Sequence, residues 1–429
     1  MLLYGARQVG KTFILLDFGE KNYENVVYIN LETNRSVASV FENDIAPGRI
    51  ITLLEAIVGE EIHPGRTLLF LDEIQSCERA LTSLKYFCEQ APEYHIVSAG
   101  SLLGVAVNRQ QYSFPVGKVK SLSLYPLDFE EFLWAVGNEM MMELIRDCYG
   151  NKRPLGQALH RKAMDLFRQY LIVGGMPQAV EAYVETGDFD EVDIVKRRIL
   201  NLYREDIRKH AKGYEMKVEM IFDELPSQLK NQNRHFKLSS LKEGARFDEY
   251  KDAMFWLSDA MIVNHCYNAT EPSLGLSLNR DRTLLKCYMG DTGLLISQVF
   301  DENEIVSERI YKKLLLDKLE VNMGMVVENM VAQMFVMSGH KLYFYSNSDR
   351  NDASSRMEID FLLAKSKISS RHNISPIEVK SGKNYTLSSL RKFREKYKEQ
   401  LYIPYVLHSG DLKEEDGIVY LPLYMASLL

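Results

Sequence analysis

Gly5-Ala6-Arg7-Gln8-Val9-Gly10-Lys11-Thr12 sets two glycines ahead of a lysine and a threonine. Glycines at this spacing let the backbone curl until successive N–H groups face inward, and such a ring of donors binds phosphate oxygens. A helix opening near Lys11 adds the positive end of its dipole. Lys11 places a cation on the β- and γ-phosphates of a nucleoside triphosphate, and the Thr12 hydroxyl can ligate Mg2+. Gly5, Ala6, Arg7, Gln8, Val9, Gly10, Lys11 and Thr12 are therefore the candidate ATP-binding residues. The apolar run Thr67-Leu68-Leu69-Phe70-Leu71 ends on Asp72-Glu73. In phosphate-loop enzymes a carboxylate at such a strand end holds the magnesium, and a following acid can polarise the attacking water. Asp72 is the expected magnesium ligand beside Thr12, and Glu73 the expected general base. Ser98-Ala99-Gly100-Ser101 closes a further apolar run, where a polar side chain either senses the γ-phosphate or belongs to an ordinary turn.

Near the C-terminus, Ile377 and Val379 alternate with Glu378 and Lys380. Alternation on a strand puts the two charged side chains on one face. Asp360 lies on the preceding strand pattern, and Glu328 on a helical pattern before it. Together these residues resemble the PD-(D/E)XK nuclease constellation. The resemblance implies that Asp360 and Glu378 ligate Mg2+, which activates water, while Lys380 orients that water or stabilises the phosphorane charge. Glu328 would help from the helix. A second Glu-x-Lys, Glu215-Met216-Lys217, falls on a helical pattern without a partner acid.

Both sets of residues need elements to hold them. Val26–Asn30, Thr67–Leu71 and His95–Ser98 read as buried strands after the stub Leu2–Tyr4, with helical patterns at Lys11–Phe18 and Ala80–Glu89. Strands alternating with helices predict a parallel sheet covered on both faces. Residues 151–207 read as helical, broken by the turn Val173-Gly174-Gly175-Met176-Pro177. From Pro226 to Gly293 the pattern suits a winged helix. Leu238-Ser239-Ser240 would cap a short helix, and Tyr250, Met254, Leu257 and Met261 would share a helix face. Ile262-Val263 and Leu274–Leu278 would form the wing. A long amphipathic helix, Tyr311–Ser338, then leads into strands Lys341–Tyr345, Glu358–Ala364 and Pro376–Lys380. The expected organisation is multidomain α/β. Residues 1–150 form an AAA-like P-loop NTPase domain with a parallel sheet. Residues 151–300 form a helical and winged-helix segment, and residues 301–429 a restriction-endonuclease-like α/β domain.

Taken in order, these landmarks resemble a family of bacterial and archaeal AAA-type ATPases with a C-terminal domain of unknown function and a nuclease-like core. Gly5–Thr12, Leu69–Gln75 and Ala99-Gly100-Ser101 match its ATPase landmarks. Leu124–Phe132 resembles its Pro-Leu-x-Phe-x-Glu-Phe stretch, and Val173–Pro177 its Gly-Gly-x-Pro turn. Leu202–Ile207 and Asp291–Leu295 resemble two further signatures. The family often carries Gly-Arg where this chain has Gly117-Lys118. Lysine lacks the planar fork of arginine, so no arginine-finger role is expected there. Such chains usually carry a segment ahead of the first strand, whereas here Met1 stands only four residues ahead of Gly5, and the first strand is expected to be of minimal length.

The 429 residues exceed one ordinary hydrophobic core, which agrees with several domains. A net charge of −7 gives no global attraction to nucleic acid or an anionic membrane, but permits local basic patches. Lys237, Lys242, Arg246 and Lys251 offer one such patch, offset by Glu243, Asp248, Glu249 and Asp252. The run Arg391–Lys398, basic with interleaved aromatics, offers another, and it reads equally as a solvated helix face. The five cysteines form no close pair, so a reducing cytoplasm is expected. No run approaches the ~20 apolar residues of a membrane span.

Two functions follow. One is a Mg-dependent ATPase that gates a nuclease-like domain able to bind or cut nucleic acid, with DNA and further copies of the chain as candidate partners. The other is a regulatory ATPase whose C-terminal modules bind protein or DNA without catalysis. A metabolite kinase would need an acceptor-binding lid, and none is legible.

Overall fold

The computed structural model of the chain describes residues 1–108, 117–230, 235–273, 275–300, 323–347, 356–364, 373–382 and 384–429. It divides into two compact units. One comprises Met1–Tyr125 with Phe255–Ile262, the other Pro126–Met254 with Val263–Leu429.

The first unit is built on five parallel strands: β1 (Leu2–Tyr4), β2 (Asn25–Asn30), β3 (Thr67–Asp72), β4 (His95–Gly100) and β5 (Ser121–Ser123). Their order is β2-β3-β4-β1-β5. All six residues of β3 are buried, as a central strand covered on both faces requires. The helices Lys11–Asn22, Pro47–Val58 and Glu78–Gln90 follow β1, precede β3 and follow β3 respectively. The carboxyl ends of β1, β3 and β4 therefore lie along one edge, where ligands of open parallel sheets bind.

The second unit begins with helices at Phe129–Ala135, Glu139–Gly150, Gln157–Val173, Pro177–Thr186, Phe189–His210 and Glu215–Lys230. The stretch Leu124–Phe132 acquires a physical reason. Asp128 and Glu131 form a capping box that starts the first of these helices, and Phe129 and Phe132 are buried behind it. Leu127 is held at both backbone groups. Its N–H donates to Gly175 O at 2.6 Å, and its carbonyl accepts from Tyr170 Oη at 2.8 Å. Gly175 N in turn donates to Asp291 Oδ2 at 2.7 Å, and Asp291 caps the Thr292–Val299 helix through Leu294 N. Three separate sequence signatures thus meet at one buried junction.

Gly175 is glycine because of space. A Cβ there would stand 2.1 Å from Leu127 O and 2.9 Å from Leu127 N. Both are backbone atoms that cannot swing aside. Gly175→Ala is expected to destabilise this unit by about 2–3 kcal/mol, the scale of overpacking a closed site. Urea denaturation of the variant checks this, and an unchanged midpoint would refute it.

Strands β6 (Val263–Ala269) and β7 (Arg280–Met289) form an antiparallel hairpin. The second strand runs later than the expected Leu274–Leu278. Leu274 lies outside the described residues, and Leu278 N bonds back to Gly275 O in a turn. Leu238–Ser240 forms a 3-10 turn. Tyr250, Met254 and Leu257 are each buried, but the helix Phe247–Asp259 ends before Met261.

The hairpin joins β8 (Tyr343–Asn347) and β9 (Met357–Ile359) in one sheet, in the order β7-β6-β8-β9. A second sheet contains β10 (Phe361–Ala364), β11 (Ile374–Lys380), β12 (Tyr405–His408), β13 (Lys413–Glu415) and β14 (Ile418–Pro422), in the order β10-β11-β12-β14-β13. The helix expected from Tyr311 is described from Met323 to Met337, and its earlier part lies outside the described residues. It is not amphipathic. Met325 through Phe335 are all buried, and its polar side chains bond to neighbouring elements. Asn329 Oδ1 accepts from Met289 N at 2.7 Å, and Gln333 Oε1 accepts from Thr292 N at 2.8 Å.

Candidate functional site

The phosphate loop leaves β1 at Gly5 and enters the Lys11–Asn22 helix. Gly10 takes φ 90° and Gln8 φ 70°, the left-handed turns that curl such a loop. Lys11 is 7% exposed, and its Nζ donates to Gly5 O at 2.9 Å and to Ala6 O at 2.8 Å. The ammonium is thereby folded back into the curl of its own loop. Thr12 Oγ1 donates to Asp72 Oδ2 at 3.0 Å. Tyr28 Oη donates to the same oxygen at 3.0 Å, and Glu73 N to Asp72 Oδ1 at 3.0 Å.

The structure therefore brings Thr12 and Asp72 together, one from each predicted motif. The parallel pairing of β2 with β3, β3 with β4 and β4 with β1 does this, since it aligns the strand ends. A hydroxyl and a carboxylate in contact form an all-oxygen donor set, which suits Mg2+. Glu73 follows at φ 49°. Its Oε2 accepts from Gln75 Nε2 at 2.5 Å and from Ser101 N and Oγ at 3.4 Å each. Tyr28 and Gln75 are contacts that the motifs did not reveal. The Tyr28 contact depends on strand register, and the Gln75 contact on the 3-10 turn Ile74–Ser76. Lys118 pairs with Glu89 at 3.1 Å.

In the second unit, Phe361 pairs with Ile377 across antiparallel β10 and β11, and one step further this register sets Asp360 beside Glu378. Asp360 Oδ2 accepts from Val379 N at 2.8 Å. Lys380 Nζ donates to Glu378 Oε2. Burial pushes the Glu378 carboxyl up to about 7, with the charge of Asp360 adding to the rise and Lys380 opposing it. Glu378 Oε1 is buried without a hydrogen-bond partner among the described residues. Two crowded carboxylates suit a cation that keeps most of its waters, as Mg2+ does.

Glu328 departs from the expected role. It is fully buried, and its Oε1 accepts from Tyr288 Oη at 2.5 Å and lies 3.4 Å from Lys286 Nζ. Lys286 also pairs with Glu358 at 2.8 Å. Among the described residues, no three or more His, Cys, Asp or Glu side chains gather as a metal-holding group, so Glu328 does not complete a triad with Asp360 and Glu378. Glu358 was not singled out in the sequence, although it stands two residues before Asp360 on the same strand pattern.

The aromatics of the basic run face inward. Phe393 and Tyr397 are buried, while Arg391, Lys396 and Lys398 are exposed. Lys237, Lys242 and Arg246 are exposed as well, among the equally exposed Glu243, Asp248 and Glu249. All five cysteines are free, and among the described residues no helix is long and apolar enough to cross a membrane.

Residues 1–133 match the model of an AAA domain. Residues 164–303 and 323–425 match two domains of unknown function, DUF8612 and DUF4143. No curated protein matches the chain. Solved structures with similarity include the Aeropyrum pernix ORC2 protein in ADPNP-ADP complexes. It is 12% identical, with 74% of this chain and 88% of that chain covered and a TM-score of 0.33. The Aeropyrum pernix ORC1 protein in complex with DNA is 13% identical over 70% of this chain and 86% of that chain, with a TM-score of 0.27. AMPPCP-bound DnaA from Aquifex aeolicus is 14% identical over 60% of this chain and 79% of that chain, also with a TM-score of 0.27. TM-scores of this size do not establish a common fold. The matched model, the parallel sheet, the phosphate loop and the acid-tipped β3 together make the N-terminal unit an AAA-type P-loop domain.

Proposed function

We propose that the chain binds ATP with Mg2+ and hydrolyses it, and that this cycle governs a nuclease-like C-terminal domain that binds or cuts nucleic acid. The observation that carries the ATPase reading is the 3.0 Å contact between Thr12 Oγ1 and Asp72 Oδ2. Two motifs far apart in sequence converge there on one all-oxygen corner beside the phosphate loop. Inward N–H groups of the loop and the Lys11 ammonium would hold the β- and γ-phosphates. Thr12 and Asp72 would hold Mg2+, which neutralises charge on the phosphate oxygens when bound. Glu73, at the end of β3, would accept a proton from the attacking water.

Glu73→Gln tests the reading. The amide keeps shape and hydrogen bonding but cannot take the proton. Turnover is expected to fall by about 10²-fold or more, with ATP affinity within about two-fold of wild type. Unchanged turnover would remove Glu73 from this role.

The C-terminal reading rests on Asp360 beside Glu378, whose buried Oε1 has no donor among the described residues. A specific observation supports the alternative of a regulatory ATPase with non-catalytic modules. Lys380 already pairs with Glu378, and Val379 N–H already bonds Asp360. Supercoiled plasmid incubated with the protein and Mg2+, with and without ATP, separates the two. Nicking that Asp360→Ala abolishes supports the nuclease. Intact plasmid under all conditions supports the regulatory protein. The free thiols fit a reducing cytoplasm. Association with further copies of the chain belongs to the same proposal.

A further inference from the structure

We infer that Gln75 is a positioning residue for ATP hydrolysis, acting through Glu73, and that Gly100 is glycine in order to admit it. The inference rests on the proposed role of Glu73 as general base.

Glu73 occupies an unusual place. Its φ of 49° is left-handed, a conformation that costs a non-glycine residue about 1 kcal/mol. The turn is held locally, since Ser76 N donates to Glu73 O at 2.9 Å. The side chain is held separately, and only at one oxygen. Gln75 Nε2, Ser101 N and Ser101 Oγ all donate to Oε2. No other hydrogen bond to this carboxylate is made among the described residues. Of the three contacts the Gln75 bond is the short one, at 2.5 Å against 3.4 Å for both from Ser101. A glutamate has three side-chain torsions, and left loose it would spend little time aimed at a water. A donor two residues along the same turn fixes its aim and leaves Oε1 to take the proton.

Gly100 supplies the independent observation. It ends β4, and it does not take a positive φ, so backbone conformation does not demand glycine. A Cβ at position 100 would stand 1.9 Å from Gln75 Oε1 and 3.0 Å from its Cδ, so a side chain there would push the Gln75 amide, the far end of a flexible chain, out of this position. Strand β4 is thus cut away where the Gln75 amide must lie to reach Glu73.

The test is steady-state ATPase kinetics on the full chain, together with the dissociation constant of a fluorescent ATP analogue. Gln75→Leu keeps the bulk and removes the donor. Gln75→Asn keeps an amide but withdraws it by one methylene, which guards against a variant that fails to fold. Each is expected to lower kcat about ten-fold, leaving KM for ATP and analogue affinity unchanged. Gly100→Ala should give the same loss by displacing the amide, and combining it with Gln75→Leu should lower kcat no further. On a Glu73→Gln background, Gln75→Leu should add nothing. Full kcat in Gln75→Leu or Gln75→Asn, with Glu73→Gln inactive, overturns the inference and leaves the role of Glu73 standing. Further loss on the Glu73→Gln background also overturns it. An active Glu73→Gln overturns the role of Glu73 itself.

Discussion

Lys11→Ala is expected to bind no measurable ATP in isothermal titration, while keeping the fold of the N-terminal unit. The ammonium sits 2.9 Å from Gly5 O and 2.8 Å from Ala6 O, inside the curl that would receive the phosphates. It is nearly buried, so its charge is poorly screened by water. Charge-assisted hydrogen bonds are worth about 1.5–3 kcal/mol each. Losing two to the β- and γ-phosphates would weaken binding by about 10²–10⁴-fold. Alanine is also a strong helix former, so the first turn of the Lys11–Asn22 helix should persist. A wild-type melting temperature with lost binding is the expected pair of results. Equal binding by wild type and Lys11→Ala would remove the phosphate loop from the functional reading. Lys11→Arg should not rescue fully, since a planar fork replaces a compact cation in a closed space.

The nucleotide corner was legible because its chemistry is written in short segments. A glycine-lysine loop and an acid-tipped apolar run each declare themselves, and parallel pairing leaves them little choice but to meet. Tyr28 was not legible in the same way. Its hydroxyl reaches Asp72 only because β2 pairs with β3 in a register that no local pattern reports. β5 was invisible for the opposite reason. Ser121-Leu122-Ser123 is wholly exposed and lacks the apolar run that marked β2 and β3. The Met323–Met337 helix misled because apolar residues all round were interrupted by Glu328, Asn329 and Gln333, which mimic a polar face. These polar groups are buried and bonded to the segment from Lys286 to Thr292, which the helical period cannot show. In the same way, Gly175 and Asp291 were readable as separate landmarks, but their mutual hydrogen bond was not.

The acid pair of the second unit should reveal itself through pH and a divalent cation. Burial and the charge of Asp360 push Glu378 up to about 7, above its ordinary carboxyl value. A group whose folded pKa is raised binds protons more readily in the folded state. Its contribution to stability is therefore fully present below the unfolded value and is lost as pH rises through about 7. The apoprotein should accordingly lose stability between about pH 5 and pH 8, by up to about 3 kcal/mol from this group. Glu378→Gln, which stays neutral, should flatten that part of the profile. Mn2+ or Mg2+ competes with the proton for the same oxygens, so either ion should raise the melting temperature more at pH 8 than at pH 6. Asp360→Ala should abolish the cation effect. It should also bring Glu378 back toward an ordinary carboxyl value, since the neighbouring negative charge is gone. A structural ion pair predicts otherwise. If Lys380 alone neutralises Glu378, the cation will not shift melting at either pH, and Lys380→Met will destabilise the protein most at high pH. Manganese titrations followed by electron paramagnetic resonance, run beside the melting curves, decide the matter. A bound ion lost in both Asp360→Ala and Glu378→Gln establishes a metal site, and no bound ion in the wild type leaves the second unit as a scaffold.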